Sequence, residues 1–442
     1  MGKVLGAAIY PHPPIIMEEI GKGEERKASK TLEGVKALSR FIKEKSPTTI
    51  IVITPHGPIF RDAVAISTDP DLYGHFGNFG YRQIQFSYEN NIPLVKKIIN
   101  NAMEEDIMVA TVDEDLSRSY NIDRDLDHGS LVPLYFVDKE YKDFKLIHIS
   151  YGILPPRDLF RFGKAIKRAV LESVEDIIVL ASGDLSHKLS PQGPYEYSPY
   201  GKEFDQRIVA IIGEGRLEDL IDFDLELAEK AGECGLRSFM IMAGILDNCR
   251  IRPQVLSYEG PFGVGYCTAK IDIESPHVRL ARESLEHYVR EGSFLDLPSD
   301  LPEDFFSSRK AVFVTLNKDG ELRGCIGTLE PTRENLALEI IRNAVSAGLE
   351  DPRFDRVTEE ELDSLVYSVD VLSLPEAISS REDLDVKKYG VIVSRGYRRG
   401  LLLPNLDGID TVDQQIYIAL KKANIHPDEN YSMERFEVVR HH

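Results

Sequence analysis

The stretch Thr49–Gly57, TIIVITPHG, decides how the chain is read. Six residues run without polar–apolar alternation and are rich in β-branched side chains, which is the pattern of a strand covered on both faces. Pro55 and Gly57 end it, and His56 stands at its exit. Upstream, Leu32, Val35, Leu38 and Ile42 recur at helical spacing within Ala28–Lys45, and Val4–Tyr10 (VLGAAIY) reads as an earlier strand. Downstream the alternation continues with a helix over Leu94–Met103, a strand over Phe144–Ser150, a helix over Leu159–Glu172, the strand Asp176–Ala181 (DIIVLA) and an apolar helix over Arg237–Leu246. Strands alternating with helices predict an α/β domain with a largely parallel central sheet.

The pattern changes near residue 272. The segment IDIESPHVRL leads into an amphipathic helix, His277–Arg290, and then into the acidic, Pro-containing stretch Asp296–Asp304. AVFVTL, an N-K-D-G turn and ELRGCIG predict a hairpin. A helix (Glu334–Ala347), three strands (Leu365–Val371, Gly390–Ser394, Gly400–Leu403) and a last helix (Thr411–Ala423) complete a smaller α+β domain. The expected domains are residues 1–273 and 277–442, with the boundary at about 274. Two cores are also what 442 residues call for, since one core stops growing at about 250–300 residues.

Composition narrows the function classes. With 73 acidic residues against 53 basic ones, the formal charge is −20. That balance argues against duplex nucleic acid and against an anionic membrane surface as partners. The four cysteines, Cys234, Cys249, Cys267 and Cys325, form no C-x-x-C pair, so neither a disulfide framework nor finger-type zinc is expected. A reducing, cytoplasmic compartment fits them. The opening MGKVLGAAIYPHPP has too short an apolar run for a signal peptide or anchor, and no run of about 18 apolar residues suits a membrane span. His441 and His442 are given no function.

The histidines carry the chemistry. His12 follows the first strand in YPHPP, His56 follows the second in TPHGP, and His187 follows a later one in ASGDLSH. Parallel strands deliver their C-terminal ends to one sheet edge, where ligands bind. One such residue alone reads as a half-buried loop histidine; three at equivalent exits, stiffened by Pro and Gly, point to a shared site. His128, in NIDRDLDHGSLVPL, follows Asp127, which also reads as a helix cap. In EKAGECGLRSFMIMAGIL, Glu233 enters an apolar helix, where a carboxylate is costly without a partner. A metal ion or Arg237, four residues on, would supply one.

Two imidazoles and a carboxylate form the facial triad of non-haem Fe(II) oxygenases. His12, His56 and Glu233 can supply it, leaving His187 as a base near the metal. The same residues could hold zinc for hydrolysis. Ser182, Asp184, Ser186 and His187 lie close in sequence, but no G-x-S-x-G elbow occurs. GPFGVGY (Gly260–Tyr266) is neither a Walker loop nor a dinucleotide fingerprint.

PHPP, TPHGP, DLDHG-x-x-VPL, SGDLSH and GECGLRS follow one another in this order. On them, residues 1–272 resemble class III extradiol ring-cleavage dioxygenases of the LigB type, and more closely their relatives in the Memo branch. The resemblance implies Fe(2+), with zinc or another divalent metal as alternatives, held by His12, His56 and a carboxylate. It implies a catalytic set of His187 as acid/base, Asp184 beside it and His128 in the pocket, acting on a catechol-like or other small chelating substrate. Memo relatives place a cysteine at the third ligand position, and here Glu233 and Cys234 are adjacent. Glu233 is preferred, because a hard carboxylate suits Fe(II), and Cys234 is the rival.

ELRGCIGTLEPT (Glu321–Thr332), DPRFDRVT (Asp351–Thr358), SVDVLSLPE (Ser368–Glu376) and RRGLLLP (Arg398–Pro404) make the second part similar to the AMMECR domain family. The chain has no tryptophan, where family members often carry them near the C-terminus. Cys325 reads as a small packed residue or as a thiol made acidic by Arg323 or by backbone N–H groups. The pairing resembles an AmmeMemoRadiSam system, which implies a second possible role: a metal-binding accessory module partnering a radical-SAM protein.

Overall fold

The computed structural model describes residues 2–318, 320–406 and 408–441. Asp319 of the expected N-K-D-G turn and His442 lie outside the described residues. The chain divides into two compact units, Met1–Ile273 and Glu274–His442.

In the first unit the described residues form ten strands: β1 (Lys3–Tyr10), β2 (Thr49–Thr54), β3 (Val64–Ser67), β4 (Asp71–Phe76), β5 (Tyr81–Glu89), β6 (Val109–Val112), β7 (Lys145–Ser150), β8 (Asp176–Ser182), β9 (Ile251–Glu259) and β10 (Tyr266–Ile273). Eight make one sheet in the order β6-β3-β7-β2-β8-β1-β10-β9. Its middle, β7-β2-β8-β1, is parallel, as is β3 with β6. The β3–β7, β1–β10 and β10–β9 pairs are antiparallel. The sheet is thus mixed and mostly parallel in its core. Strands β4 and β5 pair apart as a hairpin.

The unbroken apolar run of β2 is explained by its two covered faces. Ile51 and Ile53 pack with the helices Ile92–Glu104, Pro156–Leu171 and Leu236–Ile245 on one side. Ile50 and Val52 pack with Ser29–Lys45 and His128–Val137 on the other. Parallel register then brings strand exits together: Tyr10 pairs with Ser182 and Thr54 with Ser150. The residues just beyond these pairs form the candidate site.

The second unit holds β11 (Val312–Lys318), β12 (Glu321–Gly327), β13 (Leu365–Leu372), β14 (Glu376–Ile378), β15 (Tyr389–Arg395), β16 (Arg398–Leu402) and β17 (Ser432–His441). They form an antiparallel sheet in the order β12-β11-β13-β17-β15-β16, with β14 also against β17. The helices Pro276–Glu291 and Leu336–Leu349 bury their apolar faces with Val312, Val314 and Leu316. The helix Val412–Ala423 covers β15 and β16. Among the described residues no helix is long and apolar enough to cross a membrane.

Candidate metal centre

His12 follows β1, and only 2% of its surface is exposed. Its backbone N–H donates to Asp184 Oδ1 at 3.0 Å. Its Nδ1 lies 2.8 Å from Ser182 Oγ, and that hydroxyl donates its single hydrogen to the Gly129 carbonyl. Ser182 therefore accepts from His12 Nδ1–H, which leaves the Nε2 lone pair facing the site. This is the tautomer that a metal ligand needs, set by the atom behind it.

Nε2 of His12 and Nε2 of His56 are 2.9 Å apart, with ring planes at 85°. Two imidazole nitrogens on one ion at 2.0–2.1 Å, placed at a right angle, would be separated by about 2.9 Å. The pair therefore fits adjacent positions on a divalent cation. His128 stacks on His56, with centroids 4.2 Å apart and 23° between planes, and lies 5.5 Å from His12. The ligand atoms of His12, His56 and His128 all lie within 4.8 Å of one another. Burial, reinforced by mutual repulsion, holds His12 well below the usual imidazole range and His56 at about 4; burial lowers His128 as well. All three stay neutral near pH 7, the form that binds metal.

The Glu233–Cys234 pair is split by its phase at the helix start. Glu233 Oε2 accepts from Leu236 N–H at 2.6 Å, at the start of the helix Leu236–Ile245. Burial pushes the Glu233 carboxyl up to about 7, while that hydrogen bond and Arg237 oppose the rise. Cys234 Sγ lies 3.7 Å from His12 Nε2 and accepts from Asp184 N–H at 3.3 Å. The structure therefore places the cysteine sulfur beside His12 and the carboxylate on the backbone of its own helix. Burial, with Asp184 and Glu233 close by, pushes the Cys234 thiol well up. The contact that sets this phase is non-local: a Cβ on Gly183 would stand 2.1 Å from Gly235 Cα, so the two loops touch backbone to backbone.

His187 is on the same loop as Asp184. Its N–H bonds Gly232 O at 3.1 Å, and its ring stacks on Tyr195 with centroids 5.1 Å apart. Its Nε2 is buried and has no hydrogen-bond partner among the described residues. Burial, with His56 and Lys188 near, lowers it to about 4. Burial raises the Asp184 carboxyl to about 7, against the hydrogen bond from His12.

A cavity of about 350 Å³ is lined by His56, His128, Pro58, Phe79, Ile122 and Asp125, among others. It is wide enough for a small ligand next to His56 and His128. Several supporting roles escaped the sequence reading. Ser182 sets the His12 tautomer. Tyr195 stacks on His187. Asp205 accepts from Ser186 N–H at 2.8 Å and from Tyr258 OH at 2.7 Å, anchoring the His187 loop. His148 had one visible signal, a polar residue inside the apolar strand KLIHIS.

In the second unit, Thr315 Oγ1 donates to Cys325 Sγ at 3.3 Å, and Cys325 N–H bonds Asp351 Oδ2 at 2.9 Å.

Comparison with known proteins adds the following. The family model described as "Catalytic LigB subunit of aromatic ring-opening dioxygenase" matches residues 6–269, and the AMMECR1 model matches residues 278–441. Protein CA_C1420 of Clostridium acetobutylicum is 42% identical over 99% of this chain and 98% of its own length. A Thermotoga maritima protein is 50% identical over 38% of this chain and 98% of its own. A crystal structure of protein PH0010 from Pyrococcus horikoshii shares 34% identity over 37% of this chain and 88% of that one, with a TM-score of 0.35.

Proposed function

From the premise that this chain belongs to the LigB family, with an AMMECR1 domain joined to it, we propose that its first unit is a mononuclear non-haem Fe(II) oxygenase acting on a catechol-like or other small chelating substrate. The observation that supports this most is the neutral imidazole cluster, with His12 and His56 nitrogens 2.9 Å apart beside an open cavity. A bound divalent ion would supply a positive charge that acidifies and orients the substrate hydroxyls.

The protein's own groups do the rest. Ser182 fixes the His12 lone pair on the site. His128 and Phe79, 5.5 Å apart edge to face, shape the wall over which a flat ring lies. His187 Nε2, neutral and without a hydrogen-bond partner among the described residues, is free to take a proton from a substrate hydroxyl and return it later, help typically worth about 100- to 10,000-fold.

One observation favours a second reading. The sulfur of Cys234, and not the Glu233 carboxylate, stands beside His12. A softer donor set suits a metal-binding accessory module, and the AMMECR1 domain agrees with a role alongside a radical-SAM protein. The deciding experiment is anaerobic loading with Fe(II), metal analysis, and exposure to catechols under air. Stoichiometric iron with ring-opened product, both lost in His12→Ala, supports the oxygenase. Tight metal without turnover of a catechol panel supports the accessory role.

A further inference from the structure

We propose that Asp127, clamped by His148, is the positioning residue that keeps His128 stacked on His56. The proposal rests on reading His12 and His56 as metal ligands, with His128 packed against His56.

Asp127 caps the helix His128–Val137, and a cap needs only the bond from Ser130 N–H, which is 3.2 Å long. The carboxylate does far more. Oδ1 also accepts from Thr54 Oγ1 at 2.6 Å, at the end of β2. Oδ2 accepts from Ser130 Oγ at 3.2 Å and from His148 Nε2 at 3.0 Å, on β7. His148 in turn has Nδ1 2.9 Å from Ser67 Oγ on β3. With Nε2–H given to Asp127, Nδ1 is left to accept from Ser67, so the ring is fixed at both ends. The Asp127 and His148 side chains are only 8% and 3% exposed.

The clamp reaches both metal-site loops. Thr54 Oγ1, which donates to Asp127, accepts from His56 N–H at 3.2 Å. His128 is the residue after Asp127. A Cβ on Gly129 would stand 2.5 Å from Thr54 Oγ1 and 3.2 Å from His56 Cδ2, so the two loops meet with no slack. Every oxygen of Asp127 is engaged, so it has no capacity to hold substrate or metal itself. Its effect passes through His128.

The test uses the full chain and two readouts. In the metal-free protein, NMR of 15N-labelled histidine reports the stacking of His56 and His128. Cobalt(II) titration reports affinity. Asp127→Asn keeps the shape but cannot accept from all its donors; the expected result is loss of the stacking signature and a 10- to 100-fold weaker cobalt affinity. In a His128→Ala background the same change should cost less than about threefold, because the residue it acts through is gone. His148→Gln, which retains a donor, should restore most of what His148→Ala loses. His148→Ala also serves if Asp127→Asn does not fold. Retained stacking in metal-free Asp127→Asn, or equal losses with and without His128, overturns the proposal. Wild-type protein that takes up no cobalt, with the stack still opening on Asp127→Asn, upholds the positioning role and sinks the metal reading alone.

Discussion

Replacing Gly183 by alanine tests whether the backbone contact between two loops assembles the site. A Cβ at residue 183 would stand 2.1 Å from Gly235 Cα, while comfortable carbon contact begins near 3.5 Å, so the loops must part by about 1.4 Å. Four hydrogen bonds cross this contact: Cys234 N–H and Gly235 N–H to Asp184 O at 3.3 and 3.1 Å, Asp184 N–H to Cys234 Sγ at 3.3 Å, and Cys234 Sγ–H to Asp184 O at 3.7 Å. Overpacking costs about 1–3 kcal/mol, and each strained bond adds roughly 0.5–1 kcal/mol. The expected destabilisation is about 3–5 kcal/mol, with the terms overlapping. Cys234 also moves away from His12, so cobalt affinity should fall with stability. Urea unfolding followed by circular dichroism reads the first quantity and cobalt titration the second. Gly213→Ala is the control, because its Cβ meets nothing nearer than Val255 Cγ2 at 3.5 Å at the end of the helix Tyr200–Gly213. A Gly183→Ala protein within 1 kcal/mol of wild type and with unchanged cobalt affinity would refute the reasoning.

Cys234→Ser should weaken metal binding at least tenfold while Glu233→Gln leaves affinity within about threefold, measured by chelator competition; the opposite order restores Glu233 as the ligand. In the second unit, Glu361 takes a bidentate pair from Arg323 at 3.1 and 3.0 Å and a third bond from Lys318 at 3.0 Å. These cations, the Arg323 hydrogen bonds above all, pull its carboxyl down to about 2. Its folded value lies below the unfolded one of about 4.3, so its contribution is present above that pH and fades as pH falls toward 2. Solvent screening limits it to about 1–2 kcal/mol. The stability difference between wild type and Glu361→Gln should therefore shrink from pH 6 to pH 2.5 in denaturant titrations, and a constant difference would count against the pairing.

What the sequence revealed and what it hid have physical reasons. β2 and β8 were legible because strands covered on both faces must be apolar throughout. β9, IRPQVLSYE, was not: it lies at the sheet edge, carries Pro253 and leaves polar residues in solvent. β17, SMERFEVVRH, hides behind charge although it sits inside its sheet, because one of its faces stays wet. β3 and β6, four residues each, are too short to show a period. His12, His56 and His128 announced themselves by following apolar strands or opening a helix. The choice between Glu233 and Cys234 could not, since one residue of phase at a helix start is set by a loop fifty positions away in sequence, at Gly183. Hard-ligand chemistry pointed to Glu233; the loop contact turned the sulfur inward.

The place of β1 has a consequence for how the protein is made. β1 leaves the ribosome well before β8 and β10, the two strands between which it lies. Until the chain has passed residue 266, an apolar strand waits with an open edge, a template for pairing with any neighbouring chain. Closing so distant a pairing is slow, since loop entropy is spent before contacts repay it. The histidine of YPHPP shares that wait, because its neighbours Ser182 and Cys234 arrive late. Assembly of the candidate site thus belongs after synthesis of the whole first domain, and a ribosome stalled earlier yields a sticky edge in its place.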